Sequence, residues 1–308
     1  MTLADSPIST FVPGPDDNRS HQELVIQPKK GWIAIDWAEM SRYRELLYFL
    51  IWRDVKVRYK QSVLGIAWAV LVPVLNMVVF TIIFNGIFHL GRDMFAADGV
   101  TRLPYAIFVY AALLPWQLFS NSLSQGGLSL LNQQHLLTKI YFPRLFLPTA
   151  AVGGLLVDMA ISFGVLVVLM LCYHNSSTYH FTPSWAIVFL PLLTLLTVIC
   201  GLAVAYLLSA LTVTYRDFRF LIPFSVQILT YLSFVQFPLE PVVKSHPHLS
   251  WVASLNPMLG IVAAFRSAIL GSPFHGGYLL VSIAVSTSML VYGAFYFRKT
   301  ERRFADIA

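Results

Sequence analysis

The chain has 308 residues, of which 57% are hydrophobic and only 12% charged. That is about half the charged share of a soluble domain, too little to cover the surface of one or two such domains. The formal net charge of +6 would suit a nucleic-acid binder, but the distribution of the cations, taken up below, points to a membrane.

Residues 1–30 are polar and contain Pro7, Pro13, Pro15 and Pro28. They lack the charged start, apolar centre and small-residue cleavage site of a signal peptide, and are expected to form a mobile cytoplasmic tail. Residues 31–64 form the next region. Here Tyr43, Leu46, Leu47, Leu50, Ile51 and Val55 fall at helical spacing, while Arg44, Arg53, Lys56, Arg58 and Lys60 occupy much of the remainder. The pattern predicts an N-terminal amphipathic interface helix on a membrane surface, its cations near lipid phosphates. Trp32, Trp37 and Trp52 suit the headgroup level.

The basic segment meets a long apolar one at Gly65. From there, residues 65–308 are expected to form one transmembrane domain. Residues 67–88 are 22 in number and carry no charge, which is long enough for a helix to cross a hydrocarbon core of about 30 Å. The second span is read at 104–123, with a tail through Gly126-Gly127. A polar-basic segment, 132–148, leads to the third span at 148–171. The fourth is 185–213, followed by a tight charged turn at 215–219. The fifth, 220–237, is short at 18 residues, and the sixth is 278–297. The apolar part of the segment between the last two, 251–270, does not read as a crossing. Asn256-Pro257 is a helix start and leaves about 14 helical residues, or ~21 Å. This segment is predicted to be an outer re-entrant or interfacial hairpin, tolerated where protein or water satisfies its backbone. The fold class is therefore an all-α integral membrane protein with six transmembrane helices.

Charge fixes the expected orientation. Six spans place 17 of the 21 Lys and Arg in inner segments and leave Arg92, Arg102, Lys244 and Arg266 outside. The positive-inside rule then puts both termini in the cytoplasm. No GxxxxGK(S/T) run, HExxH or zinc-spaced Cys/His pair occurs, so neither nucleotide binding by a P-loop nor a metal is expected of this chain. Cys172 and Cys200 both lie in apolar stretches, which argues against a disulfide framework.

Five stretches carry a resemblance. They are RELLYFLIWRDVKVRYKQSVLGIAWAVLVPVLN from Arg44, LPWQLFSNSL from Leu114, LTKIYFPRLFLP from Leu137, VTYRDFRFLIP from Val213 and LNPMLGIVAAFRSAILG from Leu255. In this order they resemble the membrane subunit of ABC-2 type polysaccharide exporters, which move lipid-linked O-antigen, capsule and teichoic acid chains. The resemblance spans roughly residues 25–303. It implies a homodimer in the bacterial cytoplasmic (inner) membrane with the path between two subunits. It also implies two copies of a separate ATPase subunit, which would hold ATP and Mg, and no cofactor in this chain. By the same resemblance His135, Leu136, Leu137, Thr138, Lys139, Ile140 and Tyr141 match a coupling helix for that ATPase, and residues 42–59 the interface helix. An ordinary basic loop at the headgroups is the plainer reading of the coupling segment.

A sugar polymer needs rings to stack on and polar groups to slide across. Phe80, Phe84 and Phe88 form one stripe on the first span, Trp116 and Phe119 lie three apart on the second, and Tyr231, Phe234 and Phe237 do so on the fifth. Channel lining and lipid-facing or packing roles both fit these rings. Asp158 sits near the middle of the third span, where an unpaired carboxylate costs about 3 kcal/mol. Asn76 or Gln227, at similar depth, is its expected partner, in a polar clamp or a transport role. Two other function classes stay in view. An ABC-2 exporter of drugs or other lipids would share the topology. A membrane enzyme would need paired carboxylates or a nucleophile with a base, and the sequence offers neither.

Overall fold

The computed structural model describes residues 37–60, 65–89, 103–137, 142–174, 184–239, 253–272 and 274–301. Among them every regular element is helical. The expected tail at 1–30 and the coupling positions Thr138, Lys139, Ile140 and Tyr141 lie outside the described residues.

The elements in order are α1 (Trp37–Arg42), α2 (Arg44–Lys60), α3 (Ala67–Phe80), α4 (Tyr105–Asn121), α5 (Ser129–Asn132), α6 (Gln134–Leu137), α7 (Phe146–His174), α8 (Leu190–Thr214), α9 (Phe218–Leu232), α10 (Pro257–Leu270) and α11 (Gly276–Glu301). π-Helical turns continue α3 through Ile87 and α4 through Gly126, and a 3₁₀ turn from Trp185 leads into α8. Five of these continuous runs are long and apolar enough to cross a membrane: Ala67–Ile87, Tyr105–Gly126, Phe146–His174, Trp185–Thr214 and Gly276–Glu301. They coincide with five of the six spans read from the sequence.

The fifth expected crossing differs. α9 has 15 residues, roughly 22 Å of helix, and stops at Leu232 rather than continuing to 237. The chain turns at Ser233 and Phe234, the latter at φ 52°, and the free carbonyls beyond are taken up by an arginine described below. α10 begins where Asn256-Pro257 predicts. The Asn256 side chain accepts from the Met258 amide at 3.0 Å, Pro257 occupies the first turn where no amide donor is needed, and Gly271 closes the helix at φ 65°.

α4 is the centre of the bundle. All of it is buried except Gln117, Ser120 and Asn121, against α3, α7, α8 and α10. Close approach depends on small residues, as expected where lipid supplies no hydrophobic drive between helices. A methyl at Gly126 would stand 2.6 Å from Ala205 Cβ, and one at Gly293 would stand 2.7 Å from the Ala203 carbonyl. These contacts seat α8 between the end of α4 and α11. Hydrogen bonds across helices add to this: Tyr110 donates to the Ser162 carbonyl at 3.1 Å and Thr212 to the Gly127 carbonyl at 2.8 Å. α3 and α9 behave otherwise. α3 buries only Pro73 and Met77, and α9 only Ile222, so both present apolar surface outward. Prolines interrupt α3 at Pro73, α4 at Pro115 and α9 at Pro223, whereas α7, α8 and α11 have no interior proline.

α2 keeps the apolar face that its spacing predicts, but packs that face on protein. Leu50 and Val55 are buried, and Ile51 lies against Gly153 of α7. Tyr48, Phe49 and Trp52 project from the other side, each more than half exposed.

Candidate functional site

A cavity of about 590 Å³ lies between α3, α4 and α7, lined also by Arg58 and Tyr59 at the end of α2 and by Thr230 of α9. The helical repeat builds its walls. Gln117, Ser120 and Asn121 recur at three- and four-residue spacing, so they share one face of α4 with Leu113 and Trp116. These are the three residues of α4 that escape burial. From α3 come Trp68, Asn76 and Phe80, and from α7 come Asp158 and Ser162. The result is rings interleaved with neutral hydrogen-bonding groups. The amide nitrogen of Gln117 is buried without a hydrogen-bond partner among the described residues.

The charged groups of the lining come from the end of α2 and from α7. Arg58 forms an ion pair with Asp158 and donates to Gln125 at 2.7 Å; Tyr59 donates to the other Asp158 oxygen. Burial, and then the hydrogen bond to Asp158, push the Tyr59 pKa up. Five residues earlier, Arg53 bonds Gln133 at 2.7 Å and Asp54 at 2.8 Å. The expectation that Asp158 pairs with Asn76 or Gln227 is thus overturned. Asn76 shares the cavity, but Gln227 is exposed on α9. Because α2 lies along α7, it brings a full guanidinium and a phenol to the carboxylate, and these outcompete neutral amides. Two of the five cations assigned to lipid phosphates, Arg53 and Arg58, therefore face protein. Lys56 and Lys60 are exposed, as is Arg44.

At the opposite end of α4, Arg266 of α10 is 5% exposed. Its guanidinium donates to four backbone carbonyls: Phe108 at 3.3 Å, Phe234 at 2.9 Å, Val235 at 2.6 Å and Phe237 at 3.1 Å. It also lies 3.6 Å over the Phe108 ring. Tyr105 donates to the next carbonyl, that of Gln236, at 2.8 Å.

A family model described as ABC-2 type transporter matches residues 45–270, most of the chain. The chain belongs to the ABC-2 type transporter family. Among curated relatives of this ABC-2 chain, the O-antigen export system permease protein RfbA of Myxococcus xanthus is 28% identical over 256 residues, covering 83% of this chain and 92% of the relative. A protein of the same name from Klebsiella pneumoniae is 24% identical over 265 residues, covering 85% and 95%. The polysialic acid transport protein KpsM of Escherichia coli is 23% identical over 244 residues, covering 79% and 88%.

The structure sorts the aromatic candidates of the ABC-2 chain. Phe80 and Trp116 line the cavity with Asn76 and Asp158. Phe84 and Phe88 extend the stripe, with ring centroids 6.2 and 6.0 Å apart along it, and Phe84 meets Phe237 edge-on at 4.9 Å. Phe119 touches Trp116 at 5.7 Å but turns into a different cleft beside Leu123 and Val204. Tyr231, Phe234 and Phe237 do not form one helical stripe, because α9 ends before Phe234. His135 is exposed on the short α6 that opens the coupling segment. Sequence reasoning missed Gln117, Ser120 and Asn121. Their spacing on an apolar helix was the available signal.

Proposed function

We propose that this chain is the membrane subunit of an exporter that carries a lipid-linked, O-antigen-like polysaccharide across a bacterial cytoplasmic membrane. The observation that carries this reading is the cavity wall of Trp68, Phe80 and Trp116 between Asn76, Gln117, Ser120 and Asn121. Rings match the C–H faces of a sugar, and amides and hydroxyls match its hydroxyls. Dispersed neutral contacts hold a polymer without trapping it at one point. The names of the relatives support this cargo class. ATP would be hydrolysed on a separate subunit docked on the segment from His135 to Tyr141, since the chain has no P-loop. Six crossings, with α9 and its following turn as the fifth, leave both termini cytoplasmic. The outward apolar faces of α3 and α9 support a homodimer in which a second copy closes the open side of the cavity.

Reconstitution with the ATPase in vesicles tests the reading. Export of polymer and ATP turnover are compared for wild type, Phe80→Ala, Trp116→Ala and Gln117→Leu. Export should fall at least about tenfold in Trp116→Ala, on the scale of an aromatic contact and its burial, while ATP turnover persists. Full export in all three variants would move the path away from this cavity. Transport of small amphiphiles without polymer would replace the cargo with a drug or lipid.

A further inference from the structure

Charge is divided unevenly between the cavity and the helix beside it. α2 leaves Arg44, Lys56 and Lys60 exposed, yet none of the three lines the cavity. Among the described lining residues only Arg58 and Asp158 are charged, and they pair with each other. One terminal nitrogen of Arg58 meets Asp158, and the other donates to Gln125 at 2.7 Å. The second Asp158 oxygen accepts from Tyr59. The formal charge of this lining is therefore zero, and both members of the pair are already committed. Taking the polymer path proposed above as given, we infer that the cavity selects uncharged glycans over acidic ones, and that the Arg58–Asp158 pair sets this selection by cancelling the cation of the wall.

The hydroxyls of the wall point the same way. Ser120 donates to the Gln117 carbonyl at 3.2 Å, Ser162 to the Asp158 carbonyl at 2.9 Å and Thr230 to the Val226 carbonyl at 2.7 Å. Each hydroxyl thus spends its proton on its own helix and keeps an oxygen that can accept. A sugar hydroxyl can donate to such an oxygen; an ionised carboxylate only accepts and cannot. The amides of Asn76, Gln117 and Asn121 offer both functions, which again matches a hydroxyl, whereas a carboxylate uses only their NH₂ halves. An anion that leaves water needs a cation or several donors to replace its hydration. With Arg58 held by Asp158, the described wall supplies no free cation. An acidic polymer meets this deficit at every repeat. Any charge on the lipid anchor is common to acidic and neutral polymers and does not discriminate between them.

The test is a competition in vesicles holding the complete complex. The probes are a lipid-linked neutral hexose polymer and a counterpart of equal length, on the same anchor, with one uronic acid per repeat. The readout is the ratio of acidic to neutral polymer exported. Wild type should favour the neutral polymer by at least about tenfold, the scale of an uncompensated charge at a recognition surface. Asp158→Asn frees the cation of Arg58 and should raise the ratio several-fold. Arg58→Gln leaves the carboxylate unpaired and should lower it further. Opposite shifts from the two halves of one ion pair are the signature of charge; loss of a merely structural contact would slow both polymers alike and leave the ratio where it was. Asn121→Lys keeps the pair intact and adds a cation at a partly exposed position, so it tests the same point if the pair variants fail to fold, and it too should raise the ratio. Equal export of both polymers by wild type, or a wild-type preference that neither Asp158→Asn nor Asn121→Lys moves, overturns the selection and leaves the polysaccharide path standing. Export of neither polymer, with ATP turnover intact, overturns that path and the selection with it.

Discussion

Arg58 and Arg266 occupy opposite ends of the same bundle and settle their charge in opposite ways. Arg58 is a quarter exposed and faces a carboxylate and an amide, both on side chains. Arg266 is buried and faces only backbone carbonyls and a ring. A side-chain partner can swing away; a carbonyl at the end of a helix cannot move without the turn that holds it. The Arg266 end is thus fixed, tying α10, the turn after α9 and the start of α4 into one piece, while the Arg58 end is a contact between elements that can separate.

The sharpest way to break this contrast is Arg266→Met. It strips four carbonyls of their donor in a buried site, and we expect a loss of about 3–5 kcal/mol, read as failure to recover folded protein from detergent extracts. Arg266→Lys should recover part of this. If Arg266→Met were as stable as wild type, the fixed end would not be fixed. Gly260→Val follows, because any side chain there runs into the Tyr278 carbonyl and Ser282 of α11. A loss of about 1–3 kcal/mol is expected, visible as a lower unfolding temperature. Asp158→Asn should be mildest, about 1–2 kcal/mol, since the amide can still accept from Tyr59. Wild-type export by this variant would confine Asp158 to its role as a clamp.

Local chemistry was the legible part. The helix start at Asn256-Pro257, five long apolar runs and the inward face of α2 follow from side-chain spacing and from caps that act within a turn. The partner of Asp158 was not legible, because it comes from a helix 100 residues earlier whose cations suited lipid equally well. Arg266 was read as an outer-loop charge. Its acceptors are main-chain carbonyls, which leave no mark in a sequence; the only clue was a lone cation within an otherwise apolar helix. The early end of α9 has the same origin, since the apolar run continues past the point where backbone hydrogen bonding changes hands.

The interior prolines give the cavity a mechanical asymmetry. Pro73, Pro115 and Pro223 each lack the amide that would close a helical turn, so the carbonyls of Ala69, Ala111 and Arg219 lose their usual donors and the helices there bend more easily. All three interruptions lie in helices that contribute to the cavity wall, and α3 and α4 add π-helical turns to them. α7, which supplies Asp158 and Ser162 to the wall, and α8 and α11, which supply none of it, run without such joints. Flexing at the prolines therefore changes the bore of the cavity while the stiff frame keeps its register. One sequence in this way sets a compliant wall, in α3, α4 and α9, against a stiffer frame in α7, α8 and α11.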